Sequence, residues 1–434
     1  MRSKNRSELE KLREISEIVP PVGAAPSKAT SGKSFKEHQA YRQIEIAIKA
    51  GEATGIASPF FRQGDAVRPT SLSLNGQWVT DFSSYDYLSL NLDQRIADAT
   101  ANAVKEWGVS SNASRLVGGQ RRFHHDLEVK IAEVLGAESA LAMVSGHATN
   151  HSIIRTLMGQ NDLIAADRLA HNSVFEGIQS SGAEHISFPH NDWDWLDKKL
   201  AESRGDYKNV LIVLEGLYSM DGDIPDLERF VEIKRKYDTW LMVDEAHSLG
   251  VLGATGRGIC EETGVARQDV DITMGTLSKS LCSCGGFVAG THELIDILRF
   301  TAPGFVYSVG ISAPNAAAAL EALNILETEP ERVRKLRAIG DHFKQAAIAH
   351  GLKVGDSAGF AVAPIMIEDS IRSVWVSNQL LRQGFNVVPI IAPAVQNKSA
   401  RLRFFLNADH RVEQIDAAIA ATASLIKASY DVSY

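Results

Sequence analysis

Cysteine is scarce in this chain of 434 residues: there are three, Cys260, Cys282 and Cys284. Three thiols are too few for a disulfide framework, and a reduced, cytoplasmic protein is expected. Cys282 and Cys284 find no second Cys/His pair of matching spacing, so no metal site is expected. No basic tract stands out, and the formal net charge is −8, which argues against nucleic acid as a partner. No apolar run is long enough to span a bilayer, and the opening MRSKNRSELEKL lacks the apolar centre of a signal peptide. A Gly-x-x-x-x-Gly-Lys-Ser/Thr phosphate loop is missing, since GATGRG at Gly253–Gly258 has no lysine and follows no strand. No internal repeat is visible.

Length suggests more than one domain, because a single core rarely grows past roughly 250–300 residues. Residues 1–35 read as an extension. Ser7 with Glu10 makes a capping box, and Leu9, Leu12, Ile15 and Ile18 give an amphipathic helix over Glu8–Val19. Pro20 and Pro21 end it, and a linker follows. In residues 36–95 a helix over Phe35–Ala50 carries Tyr41, Ile44 and Ile48 on one face, and Asn75-Gly76 joins two alternating runs as a hairpin. Residues 96–315 alternate amphipathic helices with short buried runs at Ala140–Val144, Leu163–Ala166, Val210–Leu214, Trp240–Val243, Ile272–Met274 and Phe287–Ala289. That is the pattern of an α/β domain with a large, mostly parallel sheet. Residues 316–434 read as a smaller α+β domain, with strands at Phe360–Ile367, Asn386–Pro389 and Ala400–Leu406 and a closing helix over Val412–Ser429.

Ligands bind at the carboxyl ends of the strands in open α/β sheets, and polar residues stand there: Ser145, Asp167, Glu215, Asp244 and Thr276. The stretch DITMGTLSKSLCSCGG ends a buried strand on Lys279. A lone Ser-Lys-Ser is an ordinary surface loop, but a desolvated lysine becomes a nucleophile for carbonyl chemistry. Asp244 follows a four-residue apolar run, and a carboxylate is expensive to bury unless it meets a cation. A pyridinium nitrogen is such a cation, and His247, three residues on, could reach an oxygen on the same ring. Asp244-Glu245-Ala246-His247 also spells a helicase box, which the missing phosphate loop excludes. Ser145, Gly146 and His147 open a helix, whose free N–H groups suit a phosphate. Thr276 could add a hydroxyl to it. His171 alone reads as a hydrogen-bonded structural histidine; beside a planar cofactor, stacking on the ring becomes the better reading.

The motifs FSSYDYLSL, SNASRLVGGQRRFHHDLE, MVSGHATN, ADRLAHNS, LEGLYSMDGDIPDL, VDEAHSLGVLGATGRG, GTLSKSLCSCGG, FVYSVGISAP and ARLRFFLNADH resemble, in order and spacing, the α-oxoamine synthases, fold type I enzymes that use pyridoxal 5′-phosphate (PLP). The resemblance covers residues 36–430. It implies Lys279 as the lysine that holds PLP, Asp244 as partner of the ring nitrogen, His247 as partner of the ring oxygen and His171 as the stacking residue. It implies phosphate binding by Ser145, Gly146, His147 and Thr276, with Ser219 nearby. It further implies that Arg403 holds the substrate carboxylate and that Ser308 reaches the phosphate of a second subunit, so that a homodimer shares its sites.

Three residues depart from the family pattern: Tyr85 where an asparagine helps bind the amino acid, His147 for Phe or Tyr, and Val309 for a hydroxyl residue. The activity implied is decarboxylative condensation of an amino acid with an acyl thioester of coenzyme A or acyl carrier protein. Tyr41-Arg42-Gln43 and Pro59-Phe60 are similar to the serine palmitoyltransferase branch, which points toward sphingolipid biosynthesis. The 8-amino-7-oxononanoate synthase branch, using alanine and a pimeloyl thioester, is the alternative. A non-catalytic partner subunit is a third reading, against which Lys279, Asp244 and His247 all stand.

Overall fold

The structure, a computed structural model, describes residues 34–54, 57–392 and 394–430; the helix expected at Glu8–Val19 lies outside them. Three strands follow the first described helix, Gln39–Thr54: β1 (Ala66–Arg68), β2 (Ser71–Leu74) and β3 (Gln77–Asp81). The β2–β3 turn is Asn75-Gly76 with φ of 51° and 76°, the left-handed pair that a two-residue hairpin requires. Tyr41, Ile44 and Ile48 on the first helix stay exposed.

The central sheet has seven strands: β4 (Ser139–Met143), β5 (Leu163–Asp167), β6 (Glu184–Phe188), β7 (Val210–Glu215), β8 (Trp240–Asp244), β9 (Ile272–Thr276) and β10 (Gly286–Gly290), in the order β4-β10-β9-β8-β7-β5-β6. Neighbours from β9 to β6 are parallel, while β10 runs antiparallel to both β9 and β4. The link from β9 to β10 is too short for a crossover, so it must reverse the chain. Two reversals leave β4 aligned with the rest, and its carboxyl end lies on the same edge as those of β5, β7, β8 and β9. Every residue of β5, β7 and β9 is buried. Helices cover both faces, and side chains divide by parity: Ile212 and Leu214 enter one core, Leu211 and Val213 the other. β6 has no such signature, being a half-exposed edge strand. Among the described residues no helix is long and apolar enough to cross a membrane.

The C-terminal part adds β11 (Val362–Met366), β12 (Phe385–Asn386), β13 (Val388–Ile390) and β14 (Arg401–Phe405), with sheet order β11-β14-β13. The single strand expected over Asn386–Pro389 is instead split at buried Val387. Asn386 pairs with Asp81 on β3, in parallel, and Val388–Ile390 pairs with β14. Side chains explain the split. Asn386 Nδ2 donates to Asp81 Oδ1 (2.8 Å) and Ser83 Oγ (3.0 Å), and its Oδ1 accepts from Arg62 Nη1 (2.7 Å). The N-terminal sheet is thereby sewn to the C-terminal part. Its continuation is fixed by Phe405 N donating to Phe82 O (2.9 Å) and Ala408 N to Tyr87 O (2.8 Å).

One ion cluster braces the loops beneath that edge. His190 Nδ1 meets Asp167 Oδ1 at 3.0 Å and Nε2 meets Asp223 Oδ2 at 2.9 Å, with the Tyr218 ring edge-on at 4.4 Å. Burial alone would lower the His190 imidazolium, but hydrogen bonds and charge from Asp167 and Asp223 override it and raise it to about 10. An imidazole that titrates higher folded than unfolded stabilises the fold fully below its unfolded value, and the contribution fades as pH climbs to the folded one. His190→Gln is therefore expected to destabilise the protein by on the order of 3 kcal/mol at mildly acidic pH, leaving two carboxylates without their cation. The gap to wild type in thermal unfolding should narrow steadily as pH rises toward about 10. A gap independent of pH would show that the imidazolium is not what holds the cluster.

Candidate active site

Asp244 ends β8, and the register sets it beside Glu215, the last residue of β7. Asp244 is 4% exposed. Its oxygens accept from Asn150 Nδ2 (2.7 Å) and from the Ala246 N–H (2.9 Å). No lysine, arginine or histidine lies within salt-bridge distance of it among the described residues. A dry carboxylate with only neutral donors is the setting for a cation brought by a ligand. Glu215 is equally buried; its Oε2 accepts from Ser219 N (3.0 Å) and its Oε1 has no partner. Burial, then the charge of Asp244, raises the Glu215 carboxyl to about 8, so it is protonated at neutral pH.

β9 stops at Thr276, and the turn that follows carries Lys279. The turn is pinned by Leu277 N to Gly285 O (3.0 Å), Ser283 N to Leu277 O (2.9 Å) and Ser280 Oγ to Leu249 O (2.7 Å). The Lys279 amine is lowered to about 8, by burial first, against the opposing pull of Asp244 and Glu215. Its Nζ stands 5.8 Å from the centre of the Tyr85 ring.

Two helices open toward this edge. Gly146–Leu157 follows β4; Ser145 caps it, its Oγ accepting from Ala148 N (3.1 Å). The N–H groups of Gly146 and His147 have no carbonyl four residues back in the helix to bond. A Cβ at Gly146 would sit 3.1 Å from Thr276 Oγ1, and one at Gly286 would sit 2.7 Å from Gly146 N. Both glycines thus let the helix N-terminus approach β9 and β10 closely, beside the Thr276 hydroxyl. His147 turns its side chain outward to Glu176 (3.2 Å). The second helix, Asn172–Ser181, follows β5 and is capped by His171, whose Nδ1 meets Ser173 Oγ at 2.7 Å. Burial lowers the His171 imidazole, which favours the neutral ring.

The third wall comes from the segment after β3. His247 Nδ1 bonds Tyr87 Oη at 2.7 Å. Burial holds the Tyr87 phenol well above its ordinary range and His247 well below its own. We therefore assign Tyr87 as donor and Nε2 of His247 as the protonated nitrogen. Tyr85, 38% exposed, packs on Phe405 (4.6 Å) and near His247 (6.0 Å), so its ring lines the mouth and not the core. Arg403, on β14, donates to Ser219 O (2.8 Å) and stacks over Phe405, while its buried Nε has no partner. Its neighbour Arg401 is instead paired with Asp221. The strand therefore offers one arginine committed within the chain and one with a guanidinium edge free for a carboxylate.

Lys279, Asp244, His247, His171, Tyr85, Arg403, Ser219, Thr276 and the Ser145–His147 turn thus stand around one carboxyl edge. Ser308 does not join them; its hydroxyl lies beside the Val309 carbonyl (3.3 Å). Glu215 was read from sequence only as a polar residue at a strand end, and Tyr87, Asn150 and Ser173 were not singled out, although all four lie inside the motifs quoted above. The residues fit a phosphorylated pyridine aldehyde: a lone carboxylate for a ring cation, an amine of lowered basicity, and a helix N-terminus with a hydroxyl for an anion.

A profile of the family described as aminotransferase class I and II matches residues 78–421. The chain is 36% identical to the serine palmitoyltransferase of Sphingobacterium spiritivorum, over 85% of this chain and 92% of the relative. It is 35% identical to the 8-amino-7-oxononanoate synthase of Petrotoga mobilis, over 87% of this chain and 96% of the relative. A lysine-to-alanine variant of the serine palmitoyltransferase of S. paucimobilis, solved with a bound PLP–myriocin aldimine, superposes with a TM-score of 0.86 at 27% identity, covering 90% of this chain and 98% of the other. The chain belongs to the aminotransferase class I and II family and, within it, to the α-oxoamine synthases.

Proposed function

We propose that the protein condenses an amino acid with an acyl thioester, of coenzyme A or acyl carrier protein, releasing CO2 and an α-amino ketone, with PLP as cofactor. The observation that carries this reading is the amine of Lys279 at one sheet edge with Asp244, a buried carboxylate with no cation in salt-bridge contact among the described residues. PLP, when bound, supplies a carbonyl for an amine to capture and a pyridinium ring that draws electrons from the amino acid's α-carbon.

The chain's residues do the rest. Lys279, with its amine near 8, holds the cofactor and moves the α-proton at Nζ. Asp244 keeps the proton on the ring nitrogen. His171 covers the ring, and His247 donates from Nε2 toward the ring oxygen. The N–H groups of Gly146 and His147, with Ser145, Ser219 and Thr276 nearby, hold the phosphate. Arg403 binds the substrate carboxylate with its free edge, and Tyr85 shields the reacting carbon from water and shapes the amino-acid pocket.

Serine with a long acyl thioester is the pairing that the similarity to serine palmitoyltransferases supports; alanine with a pimeloyl thioester is the pairing to test beside it. A homodimer completes the site in this reading, with Ser308 serving the partner's phosphate pocket. Supporting it, Tyr307 and Val117, both 85% exposed, flank the Ser114–Val309 bridge, leaving apolar surface beside Ser308.

The substrate pair is found by adding glycine, alanine, serine or 2-aminobutyrate to the PLP-loaded protein, recording the spectral shift, and then supplying thioesters of rising chain length. Lys279→Ala is expected to abolish turnover, and borohydride reduction with peptide mapping should place PLP on Lys279. A label on another lysine overturns the assignment. The neutral amine is the attacking form, so uptake of PLP by the cofactor-free protein should quicken as pH rises through about 8 and level off beyond it. A rate still climbing toward the ordinary lysine value of about 10.4 would show that the amine is not desolvated.

Asp244→Asn should retain PLP yet exchange the α-proton about 10²–10³-fold more slowly, the loss of one well-placed charge. Exchange near the wild-type rate would remove Asp244 from the ring nitrogen. Tyr85→Asn should reorder the four amino acids by affinity and leave the cofactor spectrum unchanged. If only thermal stability falls, Tyr85 is a packing residue.

A further inference from the structure

The floor carboxylate and the capping histidine are joined by a chain of three hydrogen bonds. Asn150 Nδ2 donates to Asp244 Oδ2 at 2.7 Å and to Ser173 Oγ at 3.0 Å. Ser173 Oγ lies 2.7 Å from His171 Nδ1, and the Ser173 N–H also points at Nδ1, at 3.3 Å. Asn150 and Ser173 are both 1% exposed or less. They come from the first two turns of the two helices that open toward the site, so the chain links three separate elements, β8 and both helices.

The directions of these bonds follow from donor counts. An amide nitrogen carries two hydrogens, and both its neighbours here, a carboxylate oxygen and a hydroxyl oxygen, can accept. Ser173 Oγ can accept from Asn150 and still turn its own hydrogen to His171 Nδ1. The Ser173 backbone N–H, which can only donate, aims at the same nitrogen, so Nδ1 is the unprotonated one and the ring carries its hydrogen on Nε2. The opposite amide orientation would aim Asn150 Oδ1 at the Asp244 carboxylate, acceptor against acceptor. In the observed orientation Oδ1 is buried without a hydrogen-bond partner among the described residues. Buried polar atoms are nearly always bonded. An asparagine that leaves its carbonyl unpaired in order to place both hydrogens is held there for its donors. Aspartate, of nearly the same shape, would set a second carboxylate against Asp244. Leucine would fill the space and strip Asp244 of one of its two donors.

We propose that Asn150 and Ser173 are positioning residues, a relay that fixes the His171 tautomer and ring plane and, through the same amide, holds the Asp244 carboxylate at its working angle. Neither touches the reacting atoms. The consequence for turnover rests on the PLP reading above; the effect on His171 does not. The lowering of the His171 imidazole by burial is consistent with this, because a neutral ring can accept at Nδ1.

The test uses the full chain, first without cofactor. Mass spectrometry of deuterium exchange at the imidazole C2 position reads each histidine separately. In Ser173→Ala and Asn150→Ala, His171 loses its fixed acceptor role, and its exchange should quicken several-fold, with His190 as unaffected internal control. In the PLP-loaded protein, kcat should fall about tenfold, the worth of one hydrogen bond to a charged or polarised group, with KM for the amino acid unchanged. Ser173→Thr, which restores a hydroxyl, should recover both readouts. Unchanged exchange at His171, or unchanged kcat, overturns the proposal. If Asn150→Ala fails to fold, Ser173→Ala, which removes a single oxygen, decides the matter alone. If PLP instead maps to a lysine other than Lys279, the functional reading fails while the histidine exchange result stands, so the two failures are told apart.

Discussion

The carboxylate of Asp244, buried at the end of β8 with two neutral donors and no cation in salt-bridge contact among the described residues, constrains everything around it. Placing such a charge away from water costs several kcal/mol after relaxation. The neighbouring groups answer by adjusting their protons. Glu215, one strand away in register, keeps its proton to about 8, through burial first and then the charge of Asp244 beside it. Lys279 is pulled two ways: burial lowers its amine, and the acids restrain the fall to about 8. The histidines at the site both shift toward the neutral form. The result is a cluster in which a carboxylic acid and an amine titrate together near neutrality, the condition under which protons move readily in either direction.

The fold makes that arrangement cheap to build. In the sheet order β4-β10-β9-β8-β7-β5-β6, β8 lies centrally, between β7 and β9. Its carboxyl end is therefore walled by neighbours on both sides. The chain goes outward from β5 to β6 and then returns to β7 on the other side of β5, a reversal of strand order of the kind where α/β sheets bind ligands. The helices after β4 and β5 both present their N-termini there, one as free N–H groups and one as the capping His171. What the sheet does not supply, a roof, comes from the segment sewn across by the β3–β12 pairing. It sets Tyr87 against His247 and Tyr85 at the mouth.

The sequence made the central sheet legible because strands covered on both faces are unbroken apolar runs, and six of its seven strands are found within one or two residues of where those runs lie. β6 escaped because Glu184, His185 and Ser187 are exposed on an edge strand, so its composition carries no burial signal. Asn386–Pro389 was legible as extended chain but not as two strands, since its division is decided by Asp81, Ser83 and Arg62, some 300 positions away. Lys279, Asp244 and His247 could be picked out because their chemistry is unusual for where they sit. Asn150, Ser173 and Tyr87 could not. Each is an ordinary residue made specific only by a partner that the fold brings to it.

The two arginines of β14 show the same limit most sharply. Arg401 and Arg403 are two residues apart and so share a face of one strand. Sequence alone gives no reason to prefer either as a binding group. The loop after β7 separates them: Asp221 engages Arg401, whereas Arg403 meets only the Ser219 carbonyl and the Met220 sulfur. A buried guanidinium without a carboxylate partner is unfavourable for the same reason as a buried carboxylate without a cation. Burial lowers its basicity accordingly. The two uncompensated charges, one on β8 and one on β14, are of opposite sign, and neither is close enough to satisfy the other. In the function proposed above, a ligand with a cationic ring and an anionic carboxylate relieves both at once. On that proposal the pair of unsatisfied charges, more than any single residue, favours an amino acid bound beside a pyridinium ring over a neutral molecule of the same size.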